Sequence, residues 1–252
     1  MSSALDSLVP IFVDPPPWCL PLLPLLQRLL AVPHASSVAD RLNKGRNANS
    51  SCPRFVPHAE LPSAEAYEAF IARTGHVPTR DNLHDLFNGL MWLSYPSTKW
   101  RMNALQAREI AARGASGPRG AVRDALTVLD ENGVLLQAPT ELVDALRARD
   151  WQTLFVTRRS DWQSARLILF GHALLEKLLQ PRRSITAHVL VVDQLADAAV
   201  AESLTLERLS AKPLLPLPVL GVPGWWPENE NPSFYEDVDV FRGKISRQDE
   251  QE

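Results

Sequence analysis

The sequence predicts an α+β fold, predominantly helical, organised as a single domain with a small β-sheet. Three observations point there. Apolar residues recur at helical spacing through much of the stretch from 63 to 113. The pattern then changes to short apolar and β-branched runs, one of them interrupted by Asn132-Gly133. The chain has 252 residues, 45% apolar and 22% charged, which is enough for a continuous core and too apolar for wholesale disorder.

The elements follow in order. Residues 63–74 open on an N-cap serine and carry Ala66, Phe70 and Ile71 on one helical face. Residues 82–94 place Leu83, Leu86, Phe87, Leu90 and Met91 on a single stripe, with Asn82 as N-cap. Pro96 stops that helix, a third runs from 97 to 113, and GASGPRG is a loop. The run LTVLDENGVLLQ reads as a β-hairpin at about 125–137, turning on Asn132-Gly133. A helix over 140–149 follows. A buried strand at about 165–170 then leads through Gly171 into the helix HALLEKLLQ. Residues 185–192 form a strand or a helix, which periodicity leaves open for so short a run.

Proline divides the chain further. There are 21 prolines where roughly 13 are usual for this length, and most fall in 10–33 and 213–232. Each removes a backbone donor and fixes φ, so both stretches should be extended packing arms. Residues 1–53 are therefore read as an N-terminal arm with a short helix over 21–31. Residues 54–242 are the α+β domain, including a C-terminal arm too rich in Leu, Trp, Phe and Tyr to be left in solvent. Residues 243–252 are a disordered tail.

Net charge is −3 and the sequence has no global basic field, so nucleic acid is an unfavoured partner. The local basic stretch RLNKGRNANSSCPR lacks the aromatics that would stack bases. Cys19 and Cys52 have neither disulfide-scaffold nor zinc-finger spacing and read as two reduced thiols. The apolar run near the start is broken by Pro21, Pro24 and Arg28 and does not suit a membrane span or secretory signal. The expected location is the cytoplasm, with no membrane partner.

Chemistry is concentrated in three stretches. In TRDNLHDLFNGL, His84 and Asp85 lie in a first helical turn. An adjacent His-Asp pair can serve one metal ion, as in the all-helical His-Asp phosphohydrolases. His58 and Asp124 or Asp130 would have to complete that signature, but PRFVPHAELP does not look helical and VPTRDN replaces the apolar lead-in. Asp85 also suits a capping box with Asn82. In FGHALLEKLLQP, His172 and Glu176 are spaced i, i+4 and share a helix face. The helix N-terminus keeps His172 neutral, the form needed by a metal or proton acceptor. In PRRSITAH, Arg182 and Arg183 stand beside hydroxyls, with His188 following, an arrangement suited to phosphate or carboxylate. Arg80, Lys99, Arg101 and Arg123 add positive charge. Asp124 stands on an otherwise packing-rich segment, while Asp130 and Glu131 read as turn carboxylates. No GxGxxG, Walker, GxSxG or HExxH motif occurs.

The runs GHVPTRDNLHDLFNGLMWLSYPSTKWRMN, RGAVRDALTVLDENGVLL, LFGHALLEKLLQP with ITAH, and LPLPVLGVPGWWPENENPSFYEDVDVFR occur in that order. They resemble the bacterial family catalogued as domain of unknown function 3025, over roughly residues 54–242. The resemblance implies a boundary and a domain that includes the C-terminal arm. It carries no catalytic residue.

The residues point first to a metal-dependent hydrolase or phosphoryl-processing enzyme with a small anionic substrate. His84, His172 and His188 are the expected ligands of a divalent zinc, manganese or iron ion, and Asp85, Glu176 and Asp124 the catalytic carboxylates. Arg80, Arg101, Arg182 and Arg183 would bind the anion. The rival reading is a non-catalytic protein-interaction module that uses Trp225, Trp226, Phe234 and Tyr235 as anchors.

Overall fold

The computed structural model describes Leu8 and residues 13–46, 51–113 and 120–243. The GASGPRG loop, except its last residue, and the tail beyond Gly243 lie outside the described residues. Helices dominate, and the α+β class is as the sequence predicts.

Helices α1 (Leu23–Leu30) and α2 (Val38–Gly45) precede strand β1 (Arg54–Pro57). Helix α3 (Tyr67–Thr74) leads into β2 (His76–Thr79), which pairs with β1 in parallel. Helix α4 (Leu83–Ser94) buries Leu86, Phe87, Leu90 and Met91, the stripe its periodicity marks. Helix α5 (Pro96–Arg113) starts one residue after α4's C-cap, with proline at its first position, where the missing N–H costs nothing.

Its free N–H groups are capped from far along the chain. The Asp197 carboxylate accepts from Ser97 N at 2.7 Å and Thr98 N at 2.8 Å.

The expected hairpin at 125–137 is corrected. Residues Ala121–Asn132 form helix α6, and only Gly133–Gln137 form a strand, β3. The buried set Val122, Ala125, Leu126 and Leu129 follows i, i+3, i+4, i+7, a helical period that outweighs the turn preference of Asn-Gly. Gly133 is extended, with φ −78° and ψ 150°, rather than the positive φ a type I′ turn requires.

Helix α7 (Thr140–Ala148), strand β4 (Arg166–Leu169), helix α8 (His172–Lys177) and strand β5 (Thr186–Val191) follow. Residues 185–192 are thus resolved as a strand. Helices α9 (Asp197–Ser203) and α10 (Leu206–Ser210) lead to β6 (Leu215–Pro218). The four-stranded sheet has the order β4-β3-β5-β6, with β3 and β5 parallel and both outer pairs antiparallel.

One hydrophobic cluster joins Trp18, Leu22 and Leu26 from the first arm to α4, the sheet, and Phe234, Tyr235 and Phe241 from the last arm. Asn229, fully buried, donates to Leu220 O and Val222 O and holds the C-terminal segment down. Arg159 bonds both Asn229 O and Tyr235 Oη from outside.

Candidate metal centre

Two glycines assemble the site. The Gly133 carbonyl, where α6 passes into β3, accepts from Phe170 N at 3.0 Å and Gly171 N at 2.8 Å. A Cβ on Gly171 would lie 2.4 Å from Gly133 N and 2.6 Å from Glu131 O, so no side chain fits there. This backbone-to-backbone approach lays the last turn of α6, with Asp130 and Glu131, against His172, the first residue of α8. Helix α4 packs on α8 and contributes His84 from its own first turn. Asn82 fixes that turn by accepting from Asp85 N at 2.8 Å.

The Nε2 atoms of His84 and His172 lie 2.9 Å apart, with their rings at 80° to each other. Glu131 Oε2 is 3.5 Å from His172 Nε2. One donor atom from each of His84, Glu131 and His172 falls within 4.8 Å of the other two. Each imidazole also has a carboxylate behind its remaining nitrogen. Glu176 Oε2 is 3.1 Å from His84 Nδ1, and Asp130 Oδ1 is 4.0 Å from His172 Nδ1. A histidine that binds metal through one nitrogen commonly donates from the other to a carboxylate, as His84 does to Glu176. Asp130 acts on His172 through its charge, beyond hydrogen-bond range.

His172 is buried and Glu131 half-buried. Burial pushes the His172 pKa down to about 4, against an opposing pull from Asp130, so its imidazole is neutral near pH 7. Burial, reinforced by Asp130, raises the Glu131 pKa. Burial opposes ionisation of Asp130 as well, but the Lys99 ammonium and the neighbouring His172 hold its pKa below the usual value. Lys99 is bonded to Asp130 and donates to Asn88 Oδ1 at 2.9 Å, while Asn88 Nδ2 donates to Tyr67 Oη at 3.0 Å. A buried polar chain therefore backs the His172 side of the site.

The tautomers are informative. Glu176 accepts, so His84 carries its proton on Nδ1 and turns a lone pair at Nε2 toward His172. His172 Nδ1 is buried and has no hydrogen-bond partner. An N–H there would point its positive end toward Asp130, whereas a lone pair would face a carboxylate. Without an ion, a proton on His172 Nε2 closes the 2.9 Å contact by donating to His84 Nε2. An ion at that point would instead leave the proton on Nδ1, on the Asp130 side, and turn a second lone pair beside Glu131. Three electron-pair donors then converge on that ion. A tetrahedral ion ~2.0–2.1 Å from each nitrogen would set them about 3.3 Å apart, a small opening from the observed spacing.

Of the residues singled out from sequence, His84, His172 and Glu176 come together. His188 lies on β5 opposite Gly133 and is not among the three groups able to hold an ion. Asp85 faces Arg80, accepting from its backbone N at 2.6 Å and from its guanidinium at 2.9 and 3.2 Å. That bond commits both residues to each other. Arg101 donates to Leu204 O, and Arg183 lies over the Phe234 ring at 5.1 Å. Asp124 is exposed in the first turn of α6.

Arg182 lines an open cleft of about 780 Å³ with Lys177, Ser184, Thr186 and the apolar side chains Leu83, Leu179 and Ile185. Glu176 lines it as well, joining the cleft to His84. Sequence reasoning missed Glu131 as a ligand and named Lys99 only as added positive charge. It weighed Asp130 only as the later aspartate of a His-Asp signature and as a turn carboxylate. Reading 121–132 by its helical period would have placed both carboxylates in a last helical turn, one residue before the strand.

No curated protein and no solved structure matches the chain. A family model, however, matches residues 53–245, a span that holds the whole constellation from His84 to Glu176. The chain belongs to the family described as protein of unknown function (DUF3025).

Proposed function

We propose that this protein is a metal-dependent hydrolase or phosphoryl-processing enzyme acting on a small anionic substrate. The observation that carries the reading is the convergence of His84 Nε2, His172 Nε2 and the Glu131 carboxylate, with a carboxylate behind each imidazole. Two imidazoles and one carboxylate suit zinc, manganese or iron. A divalent ion there would supply Lewis-acid polarisation of a substrate oxygen and a nucleophile from water at neutral pH.

The chain's own residues do the rest. Glu176 orients His84 by a hydrogen bond, the Asp130 charge lies beside His172, and Lys99 keeps Asp130 ionised. Lys177 and Arg182, with the hydroxyls of Ser184 and Thr186, bind the anion in the adjoining cleft. Lys177 is held toward the centre by donating to Asn132 Oδ1 at 2.6 Å.

The aromatic arms support this reading over an interaction module. Phe234 and Tyr235 are buried against their own domain, and Trp225 lies 5.9 Å from Trp18. Both cysteines are free thiols, and among the described residues no helix is long and apolar enough to cross a membrane. A reducing, aqueous compartment such as the cytoplasm fits both facts.

The test is a hydrolysis screen of phosphomonoesters, phosphodiesters and carboxylic esters with added zinc, manganese or iron(II), run on the parent and on Glu131→Gln. Activity that needs metal and drops at least about a hundredfold in a folded Glu131→Gln variant supports the proposal. Equal activity in the two proteins refutes it.

A further inference from the structure

At the far end of the sheet lies a second open cleft, of about 670 Å³, within the size range of small-molecule sites. Strand β5 separates the two clefts. Thr186 at its start lines the first and Val191 at its end lines the second, five residue steps or about 17 Å apart. None of the metal-centre residues lines the second cleft.

Its walls are basic. Arg147, Arg149, Arg208 and Lys212 line it against a single acid, Asp193. Arg147 is committed to Asp144 on its own helix. Arg208 is anchored by donating to Val191 O and Ser203 O. Burial lowers its pKa somewhat. The side chains of Arg149 and Lys212 are not engaged in hydrogen bonds or ion pairs. Leu146, Val191, Leu214 and Leu215 supply an apolar floor.

The backbone provides an independent signal. Among the described residues, three non-glycine residues have positive φ, and two of them are Arg149 (φ 54°) and Lys212 (φ 52°). Arg149 stands at the C-cap of α7, where glycine is the usual residue. A side chain is disfavoured in this left-handed region, a cost that glycine would avoid. Both strained positions are long cations, and both project into one cleft. Strain of this kind is typical of sites held for ligands.

We infer that this cleft, built from Arg149, Arg208 and Lys212, is a second anion site for a small phosphorylated molecule. Three cations facing one carboxylate leave a net charge of +2, which matches a phosphate monoester dianion better than a single carboxylate. The apolar floor accommodates the organic part of the ligand. The cations stay within one cleft, and the acids Glu141, Asp144 and Asp150 flank Arg147 and Arg149 in sequence, so no basic track extends for a polymer.

Calorimetric titration of inorganic pyrophosphate into the full chain, at low salt with chelator present, tests this independently of the metal reading. The variants are Arg149→Gly, Lys212→Gly and their combination, with Arg182→Gln and His84→Ala/His172→Ala as controls. Each glycine variant should lose about tenfold or more in affinity. Its Tm should stay level or rise by up to about 4 °C, because strain is released while cations are lost. Arg182→Gln should lose at most the binding that belongs to the first cleft, and both controls should keep the binding event that the glycine variants lose.

The inference is overturned if the parent shows no binding at millimolar pyrophosphate, or if the double glycine variant binds as tightly as the parent. Loss of every binding event in Arg182→Gln would assign the anion to the first cleft alone and also overturn it. Tighter binding of a single-stranded oligonucleotide than of pyrophosphate, at equal phosphate concentration, would replace the small ligand with a nucleic acid.

Discussion

Gly171 donates its backbone N–H to the Gly133 carbonyl at 2.8 Å, and a methyl group on it would lie 2.4 Å from Gly133 N. The obstructing atoms are all backbone, so they cannot yield as a flexible side chain would. Gly171→Ala is therefore expected to lose about 2–3 kcal/mol of stability, at the upper end of overpacking costs. It should also separate Glu131 from His172. Urea unfolding and zinc titration of the same variant check both effects. A variant with unchanged stability would show that the contact can relax.

The carboxylates behind the imidazoles should matter without touching the ion. Glu176→Gln is expected to weaken zinc binding about 10–100-fold, the usual cost of losing a hydrogen-bonded partner, and Asp130→Asn to weaken it by less, through the lost charge alone. Competition against a chromophoric chelator measures this. Arg80 and Asp85, paired with each other, offer the contrast: Asp85→Asn should affect folding more than metal affinity.

Lys99 is almost fully buried and bonds both Asp130 and Asn88. Replacing it with Met would leave Asp130 without its cation, and a loss of about 3–5 kcal/mol is expected. Pairing Lys99→Met with Asp130→Leu should recover part of that loss while metal affinity stays low. Chemical denaturation of the two variants separates the structural role of the pair from its role behind His172.

His188 gives a pH prediction. Burial lowers its pKa, and the charge of Lys177 lowers it further. The unfolded chain therefore takes up a proton at His188 before the folded protein does. Its contribution to stability is complete above the ordinary histidine value of about 6.5 and is lost as pH falls below that value toward the folded pKa. With chelator present, the stability lost between pH 7.5 and pH 5 should be smaller in His188→Gln than in the parent. Identical losses would contradict this.

Local pattern made much of the fold legible. Of the stripe, Leu86, Phe87, Leu90 and Met91 are buried by α4 while Leu83 is half-buried at the cleft, and ARLILF forms an edge strand leading to α8. Long-range contacts were not legible. The Asp197 carboxylate caps α5 from about a hundred residues away, and no local spacing announces that. Asn132-Gly133 misled because its turn preference is real, yet the glycine is required here for close backbone approach rather than for positive φ.

The same misreading hid half of the site. As turn residues, Asp130 and Glu131 had no relation to His172. As the last turn of a helix running into β3, they lie beside it. His84 and His172 were visible one at a time, each as a histidine in a first helical turn. Their meeting depends on α4 packing against α8, which only the tertiary structure provides.

The most direct test of the metal centre is elemental analysis of protein purified without a metal-binding tag or chelator, beside His84→Ala/His172→Ala and Glu131→Gln. The account predicts close to one zinc, manganese or iron per parent chain and its loss from folded variants. A metal-free parent that also fails to take up these ions on titration would contradict it, as would metal retained at full stoichiometry in the double-alanine variant.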